Sequence, residues 1–284
     1  MHYGRIHTVD EKSRTITFTH KGRRRRYYFQ RAMYQRFSPF LRPGNFIALL
    51  AKAPRRRRGR LQWPIKDVYR IEQPGRRPRT LYSQRRMRCE LARFVNSLGV
   101  KLFLDLEMSM HPYRKDDDFI QEIIQAGYIL EDATGKVVQT YSRYIRPTRH
   151  EKVSLRTKKF LGVSQDDVDE GIDFSEFYEH FKEVLATYRP AVIVWGRNDS
   201  LSLKEAYEIN DVLSLDDATR FVDLLSLHKN YLRRKNDIGL FKAYKAYGYE
   251  KENQLHDALE DARMTRAVFY GFQALVNANE TLNI

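Results

Sequence analysis

Apolar positions in this chain alternate with polar ones in some stretches and run unbroken in others, and the two patterns divide it into segments of different kind. Ala191-Val192-Ile193-Val194-Trp195 is a continuous apolar run, the signature of a short strand covered on both faces. Leu102-Phe103-Leu104-Asp105-Leu106-Glu107 reads as a second, mostly apolar strand. Further strand signals at 121–131 and 136–146, with a turn at Thr134-Gly135 between them, predict an antiparallel meander beginning at residue 101. Phe174, Phe177, Phe181, Val184 and Leu185 then recur at helical spacing. After the strand at 191–195 come a helix through Tyr207 and a strand over Arg220–Leu224. Asp257, three residues before Glu260, forms an Asp version of the capping box that starts a helix at Ala258. A meander followed by alternating helix and strand predicts an α/β domain, a mixed sheet flanked by helices.

The first part of the chain follows another pattern. Short strand-like runs at Tyr3–Val9, Thr15–Thr19, Tyr27–Phe29, Phe46–Ala51 and Leu61–Ile71 are separated by turns or charge clusters, as in a small all-β barrel, with an OB-fold as the expected form. Residues 72–80, EQPGRRPRT, read as a linker, and Leu91, Phe94, Val95 and Leu98 lie at helical spacing beyond it. The expected organisation is a basic OB-like domain over 1–72, a linker and bridging helix over 73–99, and an α/β domain over 100–284.

Charge sharpens this division. Residues 1–100 hold 26 Lys+Arg against 5 Asp+Glu, a net +21, which leaves 25 against 31, a net −6, for the rest of a chain of net +15. A polyanion-binding platform joined to a separate domain explains such segregation. Arg23, Arg24, Arg25 and Arg26, with Arg55, Arg56, Arg57 and Arg58, are expected in basic loops or strand ends that contact phosphates. Tyr27, Tyr28, Phe29, Trp63 and Tyr69 are candidate stacking platforms for single-stranded bases, although about half of all strand side chains in a barrel face inward, so one of Tyr27 and Tyr28 belongs to the core. An arginine run is equally compatible with a solvated arm or a targeting signal.

Cys89 is the single cysteine, which excludes an internal disulfide and a cysteine-based zinc site. The eight histidines show no paired metal spacing, so a metal would rest on oxygen ligands, Mg²⁺ or Mn²⁺ rather than zinc. No apolar run approaches transmembrane length and the N-terminus has no secretory h-region, so a cytoplasmic protein without a membrane partner is expected.

The candidate chemistry is carried by carboxylates. Asp105 and Glu107 are two apart on a strand and project from one face, where mutual repulsion and burial call for a cation between them. Taken alone, an Asp-x-Glu also describes a strand end whose acids face solvent. Asp199 follows the 191–195 strand at the carboxyl edge of the sheet, where it either serves a site or starts the next helix. Asp261 lies in the first turn of the helix from Ala258, and His256 just outside it, the arrangement either of a fixed metal ligand with a mobile base or of a first-turn acid beside a loop histidine.

In order, spacing and context these residues resemble the DEDDh-type 3′-5′ exonucleases of the DnaQ-like superfamily, which have an RNase H-like fold. Asp105 and Glu107 match its first motif, Asp199 its second, and His256-x-Ala258-x-x-Asp261 its third. Gln121-Glu122-Ile123-Ile124, Tyr144-Ile145-Arg146-Pro147 and Trp195-Gly196-x-x-Asp199 are similar to the KapD and Eri-type branch, which leans toward RNA. The resemblance covers Lys101 to Gln273 and departs at Met108-Ser109-Met110, where many relatives carry small or hydroxyl residues that touch the terminal nucleotide. It implies a metal-dependent 3′-5′ exonuclease that releases nucleoside 5′-monophosphates from single-stranded RNA or DNA, RNA favoured. Two divalent cations roughly 4 Å apart would be held by Asp105, Glu107, Asp199 and Asp261, with His256 as general base. A DNA proofreading or repair exonuclease shares the same motifs, and a nucleic-acid-binding scaffold is the third reading. Protein partners are not legible.

Overall fold

Alternation in the first segment produces a closed barrel. In a computed structural model that describes residues 1–57, 59–75, 79–82, 84–114, 118–234, 236–250, 256–278 and 282, strands β1 (His2–Asp10), β2 (Thr15–His20) and β3 (Arg23–Tyr28) form a meander. Helix α1 (Arg31–Phe37) leads to β4 (Phe46–Ala51), a short β5 (Arg55–Arg57) and the long β6 (Arg60–Gln73). β1 pairs with β4, β4 with β6, and β6 runs parallel to β3, so five strands close in the order β1-β2-β3-β6-β4 and back to β1, with β5 and β7 (Arg79–Tyr82) added along β6. Inward positions recur every second residue, Ile16 with Phe18, Tyr27 with Phe29 and Ile47 with Leu49, all fully buried. Ile65, Val68 and Ile71 are spaced by three because β6 shifts register twice against β4.

Three expectations change here. Arg23–Arg26 are the body of β3, and Arg55–Arg57 form β5, so the arginine runs lie mainly within strands; Arg58 lies outside the described residues. Tyr27 is fully buried against Phe18, with ring centroids 4.1 Å apart, and Phe29 is fully buried too, so both belong to the core and not to a binding face. Of the stretch read as a linker, 72–73 complete β6 and 79–80 begin β7, whose Leu81 packs on the barrel core; 76–78 lie outside the described residues. A free edge on β6 captured a segment that composition marked as loop.

The chain divides into two units at residues 90 and 91. In the second, the end of α2 (Gln84–Asn96) supplies Leu91, Phe94 and Val95 to the core. Its sheet runs in the order β10-β9-β8-β11-β12. β8 (Lys101–Met108), β9 (Ile123–Glu131) and β10 (Val137–Tyr144) form the antiparallel meander, and β11 (Ala191–Val194) and β12 (Arg220–Asp223) add parallel to β8. Between β10 and β11 lie α3 (Leu155–Leu161), α4 (Gln165–Asp169) and α5 (Phe174–Tyr188); α6 (Asn198–Ile209) precedes β12. The helices α7 (Leu224–Leu232), α8 (Leu240–Ala246) and α9 (Ala258–Ala278) follow.

The buried sheet separates two cores. Leu102, Leu104 and Leu106 of β8 pack with Phe177, Phe181 and Leu185 of α5 on one face. Phe103 packs with Phe269 and Phe272 of α9 on the other. Period-two alternation therefore sends Asp105 and Glu107 to the α9 face. Among the described residues no helix is long and apolar enough to cross a membrane.

Candidate active site

The site forms where β8, β9, α6 and the start of α9 meet. Asp105 stands opposite Gly127, and Glu107 opposite Gln125, in the β8–β9 register. Gly127 lets α9 approach: a Cβ there would lie 2.3 Å from Leu259 N and 2.4 Å from Ala258 C. Gln125 then anchors the helix start from both ends of its amide, donating through Nε2 to Asp257 Oδ2 at 2.7 Å and accepting from Ala258 N at 3.2 Å. Asp257 Oδ1 accepts from Glu260 N at 3.0 Å, the predicted cap. Asp261, one turn on, is 6% exposed and thereby set against the β8 acids.

Asp199 arrives from the other side. Gly196, with φ of 97°, turns the chain out of β11 into α6, whose first turn carries Asp199. Its Oδ1 accepts from the backbone N–H of Leu106 at 3.0 Å, between Asp105 and Glu107 in sequence. Asp199 thus begins a helix and faces the site, the two roles the sequence left open. His256 places Nδ1 3.9 Å from both Glu107 Oε1 and Asp261 Oδ2. Phe160 of α3 covers its ring, with centroids 4.1 Å apart and planes at 21°.

Electrostatics set this cluster apart from an ordinary acidic surface. Burial, then the charges of Asp199, Asp261 and Glu107, push the Asp105 carboxyl well above the usual carboxylate range. Burial followed by Asp261 and Asp199 raises Glu107 to about 8. Asp199 is raised by burial despite the opposing hydrogen bond from Leu106. Burial lowers His256, favouring the neutral ring. Ligand atoms of Glu107, His256 and Asp261 lie within 4.8 Å of one another, close enough to share one ion. Carboxylates that resist ionising together, with oxygen donors converging, fit hard divalent cations.

Several contributors escaped the sequence reading. Gln125 and Gly127 interrupt a strand that is otherwise almost wholly apolar, and that interruption was the available signal. Phe160 left none, because α3 is held in place by distant contacts: Met110 N donates to Thr157 Oγ1 at 2.9 Å and Ser154 Oγ to Met110 O at 2.8 Å. Ser109, within the segment that departs from the family pattern, is buried in a ladder with Glu122, accepting from its N–H at 2.9 Å and donating its own N–H to Glu122 O at 2.8 Å. Glu122 in turn gathers the backbone N–H groups of Thr148, Arg149 and His150.

A mixed sheet with clustered carboxylates at its centre, closed by a helix that begins with His and Asp, defines a metal-dependent nuclease of the RNase H-like class. The chain belongs to the exonuclease family RNase_T, whose model matches residues 102–269. It is 32% identical over 176 residues, 62% of this chain and 83% of the relative, to the probable 3′-5′ exonuclease KapD of Bacillus subtilis (strain 168). Its fold is similar to the nuclease domain of 3′hExo, a DEDDh family member solved with rAMP, with a TM-score of 0.53 at 17% identity over 66% of this chain and 98% of that one. It is also similar to cell-death related nuclease 4, with a TM-score of 0.53 at 18% identity over 65% of this chain and 66% of that one. The protein is accordingly a 3′-5′ exonuclease of a family that uses divalent metal ions.

Proposed function

We propose that the chain shortens single-stranded RNA from its 3′ end and releases nucleoside 5′-monophosphates, with single-stranded DNA as the poorer substrate. One observation carries this reading: four carboxylates and one imidazole converge at the point where α9 meets β8, with at least three of the acids held toward their protonated forms. Asp105, Glu107, Asp199 and Asp261 are the residues that would hold two Mg²⁺ or Mn²⁺ ions. Bound there, the ions supply Lewis acidity toward the attacking water and the departing 3′ oxygen. His256 takes the proton of that water, a role suited to a ring that burial keeps neutral. Phe160 covers one face of the ring, and Nδ1 faces Glu107 and Asp261 across 3.9 Å.

The preference for RNA rests on neighbours whose structures were solved with rAMP or concern a histone mRNA stem-loop. In the barrel, Arg23–Arg26 and Arg55–Arg57 are assigned to the nucleic-acid backbone. The single exposed cysteine suits a reducing cytoplasm. Competition between labelled single-stranded RNA and DNA of one length, with Mn²⁺, is the test. RNA should disappear first into mononucleotides bearing a 5′-phosphate; faster loss of DNA would reverse the preference, and internal fragments would remove the exonuclease reading.

A further inference from the structure

Between Arg23 and Lys66 the chain contains no Asp or Glu. The barrel gathers the arginines of this span around β6. β3 lies along one edge, Tyr27 beside Trp63 and Tyr28 beside Pro64, and β5 lies along the other, Arg55 opposite Gln62. The guanidinium of Arg57 reaches back across β6 and sits 3.8 Å above the ring of Tyr28. That of Arg25 lies 5.2 Å from the Trp63 ring. Tyr28 points away from the core residue Tyr27, so Arg57 joins Arg24 and Arg26 on the outer face of the barrel, whereas Arg25 and Trp63 lie on the side of Tyr27.

This arrangement decides how the face meets a polyanion. Proteins that grip single strands without sequence preference do so by stacking bases on open aromatic rings. Here Tyr27 is fully buried, while Tyr28 and Trp63 each lie half-buried beneath a guanidinium. A guanidinium resting on a ring can present its outward N–H groups to phosphate oxygens, and in Arg57 the buried Nη1 leaves the other nitrogens for that contact. Exposed Arg24 and Arg55, on the same strand faces as Tyr28 and Arg57, extend this chemistry, and among the described residues neither is in an ion pair. Paired nucleic acid hides its bases and presents two rows of phosphates, and double-stranded RNA is read mainly through its backbone.

We propose that the barrel grips the phosphate backbone of base-paired RNA through arginine edges, leaving an unpaired 3′ end for the exonuclease centre. This rests on the exonuclease reading above, but its test is separate from it. Binding of the full-length protein in EDTA, where no cleavage intervenes, is measured by anisotropy on a blunt RNA duplex of about 16 base pairs and on an oligouridine of the same length. The duplex should bind about tenfold more tightly, and its affinity should fall steeply with salt. Arg24→Ser with Arg55→Ser should flatten that salt slope by about 1–2, close to one for each phosphate that is no longer neutralised. Tyr28→Leu should weaken oligouridine binding no more than it weakens duplex binding. Equal or tighter binding of oligouridine, a loss of oligouridine affinity in Tyr28→Leu larger than its loss of duplex affinity, or no binding of either probe would overturn the proposal. Release of uridine 5′-monophosphate from the same oligouridine on adding Mn²⁺ reports on the exonuclease centre independently of all three.

Discussion

Glu107 ionises at about 8 in the folded protein against a usual 4.5, so between those values the folded chain binds more protons than the unfolded one. The contribution of Glu107 to stability must then fall as pH rises through that window, and Asp105 and Asp199, also raised, act in the same direction, whereas His2, His228 and His256, all lowered by burial, oppose it up to about 6.5. Above the histidine range, the metal-free protein should accordingly melt lower at pH 8 than at pH 7. Glu107→Gln should lessen that difference and raise metal-free stability at pH 8 by on the order of 1–3 kcal/mol, while losing most of the stabilisation by Mn²⁺. Calorimetry across the pH series checks it; a metal-free stability that rises between pH 7 and pH 8 would contradict the assignment. His256→Ala should leave the Mn²⁺ stabilisation largely in place yet slow cleavage by about 10²- to 10⁴-fold, the range of a general base. The five candidate site residues were legible because each sits at a position that local rules define: two apart on a strand, just after a strand, or at a capped helix start. Phe160 was not, since no local rule connects α3 to His256.

At the level of elements, the site depends on how closely α9 approaches β9. Gly127→Ala puts a methyl group into the backbone of Ala258 and Leu259, so α9 must move outward and carry His256 and Asp261 with it. The expected cost is about 1–3 kcal/mol in stability from overpacking. A displacement near 1 Å at the reacting groups should add roughly a 10²-fold loss in kcat/KM. Melting and steady-state kinetics on the same preparation separate the two, and near-wild-type turnover would show that this contact does not place the helix. The strands of the catalytic sheet and the start of α9 follow from apolar runs and a cap, and the sequence reading located them within a residue or two. What it lacked was register. That Asp105 faces Gly127 and Glu107 faces Gln125 is a long-range fact about two strands, and no periodicity within either one contains it. β7 has the same cause, a pairing on a free edge inside a segment rich in turn residues.

Across the whole molecule, charge and chemistry are divided between the two units. The catalytic part carries net negative charge and attracts a polyanion poorly at long range, so the basic barrel should supply most of the salt-dependent affinity. A chain lacking residues 1–83 should still trim short oligonucleotides but bind long ones weakly, with a shallow salt dependence; unchanged affinity and salt dependence on long strands would give the barrel another task. This division was visible from counting charges alone, whereas the strand positions of the arginines and the burial of Tyr27 depended on how the barrel closes. The central claim, that Asp105, Glu107, Asp199, His256 and Asp261 form one cation-dependent centre acting on 3′ ends, meets its most direct test on a short 5′-labelled single-stranded RNA. With Mg²⁺ or Mn²⁺ the protein should produce a ladder shortening one nucleotide at a time from the 3′ end, and EDTA, Asp105→Asn or Asp261→Asn should each abolish it. Shortening that persists in EDTA, or a ladder of wild-type rate from either variant, would contradict the account.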